Sequence, residues 1–136
     1  MSSVTKKPLP IHPKLERKET LSLEEVLPFV KFSEKGTSKK VYNGDVIKMD
    51  SLRYQLFSLK GVVCVNCGVT GSFFAKEKNP KDKSYHLNLY GINSEGIEVM
   101  LTKDHILPKS LGGSNDLSNL QPMCKICNEL KGNETT

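Results

Sequence analysis

Two cysteine pairs, Cys64-Val-Asn-Cys67 and Cys124-Lys-Ile-Cys127, constrain the fold of this sequence more than any other stretch. Their three-residue spacing lets two thiolates face one ion, and two such pairs complete a tetrahedron of Zn–S bonds of about 2.3 Å. The separation of the pairs exceeds that of an ordinary zinc finger, so the intervening chain must bring them together. Four thiolates leave no open coordination position, so we predict a structural zinc ion; two disulfides or four buried thiols are the alternative.

Length and composition favour one small basic domain. The chain has 136 residues, 37% of them hydrophobic, and no Trp, so its core is modest and a metal staple would stabilise it. Twenty Lys and Arg against 15 Asp and Glu give a net charge of +5, which suits a polyanion but also an ordinary solvated surface. The positive charge precedes the C-terminal third, so we expect residues 1–90 to supply much of any attraction to phosphate.

The sequence contains no run of roughly eighteen apolar residues, and its first residues lack the apolar stretch of a secretory signal. We therefore expect no membrane span and an intracellular, cytoplasmic location. In that reducing compartment, paired cysteines favour a metal site over disulfides.

The first 61 residues divide into an arm and an extension. Residues 1–20 combine prolines with charges, which indicates a flexible basic arm. For residues 21–61 we predict a helical and hairpin extension. Ser22 and Glu25 form the pattern of a capping box, and Asn43-Gly44 between apolar pairs is typical of a hairpin turn.

A second helix is predicted to begin at Ser51 and stop at Gly61, with Leu52, Leu56 and Leu59 on one face. Its Arg53 and Lys60 are candidate phosphate contacts, although solvated positions are the alternative.

The remaining chain predicts a surface loop, a hairpin and a terminal helix. Residues 71–84 are rich in Lys, Asp and Asn, which favours the loop. Residues 85–92 and 97–102 are extended runs joined by a turn. A short helix is expected at about 122–130, with a polar loop at 108–116 before it. Three further lysines are candidate phosphate contacts or solvated positions: Lys109, Lys125 and Lys131.

A second group of polar residues lies between and beside the cysteine pairs, and zinc does not require it. Asp104 and His105 begin the stretch Asp-His-Ile-Leu-Pro, which precedes a Gly-Gly dipeptide. Asn119 begins Asn-Leu-Gln, and Asn128 lies in Cys-Lys-Ile-Cys-Asn-Glu-Leu-Lys.

This pattern, over residues 62–132, resembles the HNH endonuclease family. The resemblance implies an α+β fold with a small ββα-metal core in a treble-clef-like zinc frame, followed by a tail at 133–136. The sequence departs from the family at Asn128, where His is frequent, although the His-Asn-Asn form also occurs in active members. The first half of the chain lies outside the motif. The protein as a whole most resembles small free-standing phage HNH proteins.

The resemblance implies a metal-dependent DNA endonuclease that hydrolyses phosphodiester bonds with one divalent ion. His105 is the expected general base, because a neutral imidazole takes a proton from water near pH 7. Asp104 and Asn128 are the expected ligands of Mg²⁺ or Mn²⁺, which prefer such hard oxygen atoms. Asn119 is expected to tether the preceding loop and orient His105. The alternative is a non-catalytic, zinc-stabilised nucleic-acid-binding module.

Overall fold

Strands dominate the computed structural model, which describes residues 15–33 and 37–132 and has the expected α+β class. Short 3-10 turns occupy Leu27–Phe29, Lys109–Leu111 and Leu117–Asn119. The helices are α1 (Leu23–Val26), α2 (Leu52–Lys60) and α3 (Lys125–Lys131). The strands are β1 (Glu16–Ser22), β2 (Lys39–Tyr42), β3 (Asp45–Lys48), β4 (Gly71–Lys78), β5 (His86–Ile92), β6 (Glu98–His105) and β7 (Leu120–Cys124).

Five strands form an antiparallel sheet in the order β1-β4-β5-β6-β7, and β2 and β3 form a separate hairpin. The predicted hairpin turn is confirmed: Asn43 has φ 49° and Gly44 has φ 88°, the left-handed pair that a two-residue turn requires. The hairpin predicted after Tyr85 is confirmed as β5 and β6. The helices in residues 15–33 and 37–132 are too short to span a lipid bilayer.

Two strands form in segments whose composition had predicted a flexible arm and a surface loop. Residues 16–20, expected within the flexible arm, belong to β1, and residues 71–78, expected within a surface loop, form β4. The two strands pair with each other, and their charges match: Arg17 Nε lies 2.6 Å from Glu77 Oε2. Cross-strand charge pairs of this kind compensate the polarity that made both segments look unstructured. The expected arm's residues 1–14 lie outside the described residues.

The two helix starts that were predicted from capping residues are confirmed. Ser22 and Glu25 form the reciprocal capping box of α1, and the Ser51 hydroxyl accepts the backbone N–H of Tyr54 at the start of α2. The buried face of α2 differs from the prediction, because Leu59 is 59% exposed and Tyr54 is buried instead. The Tyr54 hydroxyl accepts the backbone N–H of Leu87 at 2.8 Å, which fixes the rotation of the helix against the sheet.

The terminal helix begins later than predicted. Residues 122–124 belong to β7, and α3 starts at Lys125. Pro122 is tolerated in this strand because β7 lies at the edge of the sheet, where one missing N–H costs no ladder bond. Since α3 follows β7 directly, it folds back against β6 and β7.

One apolar core spans the extension and the C-terminal part. It combines Ile47 and Phe57 with Phe74, Leu89 and Leu101, all at most 1% exposed. The extension predicted for residues 21–61 is therefore continuous in packing with the strands that follow it.

A buried cation joins the hairpin to the sheet. Lys76 on β4 is fully buried, and its Nζ lies 2.6 Å from Glu19 Oε2 on β1 and 2.7 Å from Asp45 Oδ2 on β3. The same ammonium donates to the backbone oxygen of Tyr42 at 2.7 Å. Carboxylates from two elements thus balance a charge that would be costly to bury alone.

Candidate zinc site and active site

The four cysteines lie together although the two pairs are far apart in the chain. All four Sγ atoms lie within 4.8 Å of one another, and none is in a disulfide. The Sγ atoms of Cys67 and Cys124 are 3.8 Å apart, which is about the spacing that a tetrahedron of 2.3 Å Zn–S bonds sets. The cluster is therefore compatible with a structural zinc ion.

Local backbone geometry aims N–H groups at the sulfur atoms. The backbone N–H of Cys67 points to Cys64 Sγ at 3.5 Å, and that of Cys127 points to Cys124 Sγ at 3.4 Å. The Asn66 amide donates to Cys127 Sγ at 3.3 Å. Donors of this kind favour thiolate over thiol, as ligation requires.

The thiols differ in acidity. Burial opposes ionisation of Cys64, but the backbone N–H groups of Cys67 and Cys124 outweigh it and lower the pKa of Cys64 to about 7. Burial raises the pKa of Cys124 to about 12. A cation is therefore needed to hold all four sulfurs as thiolates at neutral pH.

Three of the predicted catalytic residues line one cleft of about 230 Å³ beside the cysteine cluster. Asp104 and His105 end β6, and Asn128 lies in the first turns of α3, one residue after Cys127. The cleft is formed where α3 folds back over the end of β6. It is lined by Lys103, Asp104, His105, Pro108, Lys109, Ser110, Asn128 and Gly132.

Asp104 is 5% exposed, and one of its oxygen atoms has two donors. Oδ2 accepts from Lys131 Nζ and from Gln121 Nε2, both at 2.9 Å. Gln121 reaches it because the two residues are directly paired across β6 and β7. The Lys131 ammonium also donates to the His105 backbone oxygen at 2.7 Å, so it links α3 to the end of β6.

The Asn128 amide has a defined orientation. The Thr102 hydroxyl donates to the Met123 backbone oxygen at 2.7 Å, so its oxygen accepts from Asn128 Nδ2 at 2.9 Å. The same nitrogen lies 3.4 Å from the Lys103 backbone oxygen. Because the amide nitrogen faces two acceptors, the amide oxygen is the end that could take a cation.

His105 and Asn119 are both tied to the loop between β6 and β7. His105 Nε2 lies 2.7 Å from Asn115 Oδ1 in that loop. Asn119 donates to the backbone oxygen atoms of Leu107 and Ser114 at 3.1 and 2.8 Å. Its Oδ1 accepts the Leu107 N–H at 2.9 Å, so one amide holds three backbone groups of the loop.

In this loop the backbone of Gly113 packs closely against the backbone of Leu107. A Cβ atom at Gly113 would lie 1.7 Å from the backbone oxygen of Leu107, so no side chain fits there. The second glycine of the Gly-Gly dipeptide is therefore required by space.

Several candidate phosphate contacts have internal partners. Lys60 Nζ donates to the backbone oxygen atoms of Leu117 and Leu120, and an Arg53 N–H donates to that of Leu87. Lys125 pairs with Glu129 one helical turn away. Lys109 is exposed in the lining of the cleft.

Sequence reasoning missed Gln121 and Asn115, and it named Lys131 only as a candidate phosphate contact or a solvated position. Lys131 and Gln121 contact the Asp104 carboxylate, and Asn115 contacts the His105 ring. The spacing of Asp104 and Lys131 gave no signal for their ion pair, because that contact depends on how α3 returns to β6.

The family comparison agrees with the pattern of residues in the cleft. Residues 93–136, the C-terminal third of the chain, match the family model described as HNH endonuclease. This segment, which holds Asp104, His105, Asn119 and Asn128, is therefore similar to HNH endonucleases. No curated protein and no solved structure matches the chain. The similarity to small phage proteins stays a prediction.

Proposed function

We propose that the chain is a metal-dependent DNA endonuclease with His105 as general base. The observation that carries this proposal is the shared cleft: Asp104 and His105 from β6 and Asn128 from α3 all line it. Together they offer a carboxylate, an imidazole and an amide oxygen to one phosphate. The family match of residues 93–136 supports the reaction class.

The donor set at the cleft fits a hard divalent cation. A carboxylate from Asp104 and the amide oxygen of Asn128 would hold Mg²⁺ or Mn²⁺ and leave most positions for water and phosphate oxygen atoms. When bound, such an ion supplies charge neutralisation of the phosphate and stabilisation of the leaving oxygen.

The loop residue Asn115 defines which nitrogen of His105 takes the proton. Its amide oxygen is an acceptor, so His105 Nε2 carries the hydrogen of this 2.7 Å bond when the imidazole is neutral. Nδ1 is then the atom that accepts a proton from the attacking water. Asn119 acts as a positioning residue, because it fixes the loop that carries Asn115.

The cysteine cluster has a structural role in this proposal. A zinc ion on Cys124 and Cys127 would lock the start of α3 and with it the adjacent Asn128. A rigid ion beside a site with only two protein ligands fixes the geometry that those ligands cannot fix alone.

A second candidate function is a zinc-stabilised nucleic-acid-binding module without catalysis. One observation favours it: Oδ2 of Asp104 is already engaged by Lys131 and Gln121, as in a purely structural carboxylate. In that case Asp104, His105 and Asn128 would be incidental to binding.

Nicking of supercoiled plasmid with Mg²⁺ or Mn²⁺ tests the two candidates. We expect cleavage that leaves 5′-phosphate and 3′-hydroxyl ends, and we expect His105→Ala to abolish it while zinc content and circular dichroism stay unchanged. Nicking by His105→Ala at the wild-type rate would refute the assigned base. Intact plasmid with every divalent metal, together with a retained gel shift, would favour the binding module.

A further inference from the structure

A second cleft adjoins the catalytic one and shares Lys103 with it. It measures about 650 Å³ and lies between the start of α2 and the loop that carries Asn115. Lys48 and Arg53 line it together with Lys103, and so does Asn115, the partner of the His105 ring. The cleft is therefore lined by a residue that contacts the proposed general base.

Basic residues continue from this cleft onto the β2–β3 hairpin. A third cleft of about 500 Å³ shares Lys48 with the second and adds Lys39 and Lys83. We name Lys103, Arg53, Lys48, Lys39 and Lys83 the basic track. It runs from the catalytic cleft, past the first turn of α2, to the exposed face of the hairpin.

The hairpin holds two of these lysines in an unfavourable arrangement. Lys39 and Lys48 are directly paired across β2 and β3, and both are exposed. Like charges opposite each other destabilise an antiparallel pair. A bound polyanion would relieve this repulsion, whereas folding alone gains nothing from it.

Acidic residues compensate the track only in part. Among the described residues that line the second and third clefts, the acids are Asp50 and Asp82. Asp50 is 2% exposed and accepts the backbone N–H groups of Thr37 and Ser38, so its charge is already engaged inside the fold. The lining therefore keeps an excess of positive charge.

The His86 imidazole lies among the cations of the track, and they contribute to its lowered pKa. Partial desolvation, with the cations of Arg53 and Lys48, lowers the pKa of His86, and Asp82 opposes them. His86 lines both the second and the third cleft, so it lies where the two clefts meet.

We propose that the basic track binds the phosphate backbone of the DNA that flanks the scissile bond. This inference rests on the proposed nuclease function and adds the surface that holds the substrate. The contacts are to phosphates, so they position the DNA and carry no sequence preference of their own.

Salt-dependent binding of a labelled duplex of mixed sequence tests the track. The full chain carries His105→Ala so that the DNA stays intact, and anisotropy is followed from low to physiological salt. The double variant Lys39→Gln/Lys48→Gln should bind about tenfold more weakly at low salt. A plot of log affinity against log salt concentration has a negative slope. For the double variant this slope should be shallower by about 0.9 for each phosphate that the variant no longer neutralises.

The matched control is Lys125→Gln, which removes one positive charge from a lysine that lines none of the three clefts. It should bind within about twofold of its parent. The double variant should fold at least as stably as its parent, since it removes a like-charge pair. The proposed role of the track would be refuted if the double variant bound DNA with unchanged affinity. It would also be refuted if Lys125→Gln lost as much affinity for each charge removed.

The outcome for the track is separable from that for the nuclease. If the chain binds DNA through the basic track but never nicks plasmid, the proposed binding surface stands and the proposed nuclease activity is refuted. A chain that nicks through His105 but binds DNA independently of Lys39 and Lys48 refutes the track alone.

Discussion

The ammonium nitrogen of Lys131 lies 2.9 Å from Oδ2 of Asp104, and the two side chains are only 9% and 5% exposed. This ion pair joins the last turn of α3 to the end of β6, and its Asp104 lines the same cleft as His105. The lysine stands beside the carboxylate that we propose as a metal ligand. It therefore supplies the positive charge that Asp104 needs when no cation is bound.

Lys131→Met should destabilise the metal-free protein and make it more responsive to Mn²⁺. Loss of the lysine leaves a buried carboxylate without its cation, at a cost on the order of 2 kcal/mol in the free energy of unfolding. A divalent ion would replace the missing charge, so Mn²⁺ should raise the melting temperature of the variant more than that of wild type. Thermal unfolding with and without Mn²⁺ measures both effects.

Lys125→Met on the same helix is the control, because its partner Glu129 is 66% exposed. Its stability should change by less than about 0.5 kcal/mol, and its response to Mn²⁺ should match wild type. An equal Mn²⁺ response in Lys131→Met and wild type would contradict a cation site at Asp104.

Removal of zinc should unfold the C-terminal part of the protein. The cysteine cluster ties residues 64–67 to β7 and α3, and loss of a structural zinc costs more than about 5 kcal/mol, comparable to the whole stability of a small domain. Cys124→Ser or a strong chelator should therefore reduce the secondary-structure signal in circular dichroism. It should also release one zinc ion per chain. A spectrum that is unchanged after complete zinc loss would disprove this role.

Asn115→Ala should slow nicking about tenfold, equivalent to about 1.4 kcal/mol in the activation free energy. The variant removes the acceptor at His105 Nε2, so the imidazole loses its fixed tautomer and orientation. As a positioning effect, the reduction should fall on kcat with little change in DNA affinity. Ser118→Ala, in the same exposed loop, should nick at the wild-type rate, and a rate unaffected by Asn115→Ala would exclude the positioning role.

Acid should weaken the junction of the hairpin and the sheet. The Lys76 ammonium is the main cause of the lowered pKa of Glu19, and Lys18 and then Lys76 lower that of Asp45. A lowered pKa in the folded state contributes stability that is present above the ordinary pKa of the carboxyl group. That stability is lost as the pH falls through the lowered value.

Wild-type stability should therefore decline below the ordinary pKa values of these groups, 4.5 and 3.8. Lys76→Met should be less stable at neutral pH and show a shallower acid decline, measured by urea unfolding across pH. Lys81→Met, at an exposed loop position, should follow wild type. An identical acid profile for Lys76→Met and wild type would show that the ion pairs contribute nothing.

The sequence indicated those features that depend on residues close together in the chain. The capping residues Ser22 and Ser51 and the turn at Asn43 were predictable, because a cap or turn is decided within about four residues. The grouping of the cysteines followed from the chemistry of thiolates, which the spacing within each pair already expresses. The strands β1 and β4 were missed because their charges are paired with each other, across a distance that no local pattern spans.

For the site, the sequence by itself determined which chemical groups are present: two cysteine knuckles, the Asp104–His105 dipeptide, and the asparagines at 119 and 128. Only the tertiary structure decided that Lys131 and Gln121 share the Asp104 oxygen, that Asn115 accepts from His105, and that Lys48 of the hairpin lines the same cleft as Lys103. Those relationships arise where separate elements meet. Their geometry is set by the packing of α3 on β6 and of the extension on the sheet, because local spacing fixes positions only within a turn or a strand.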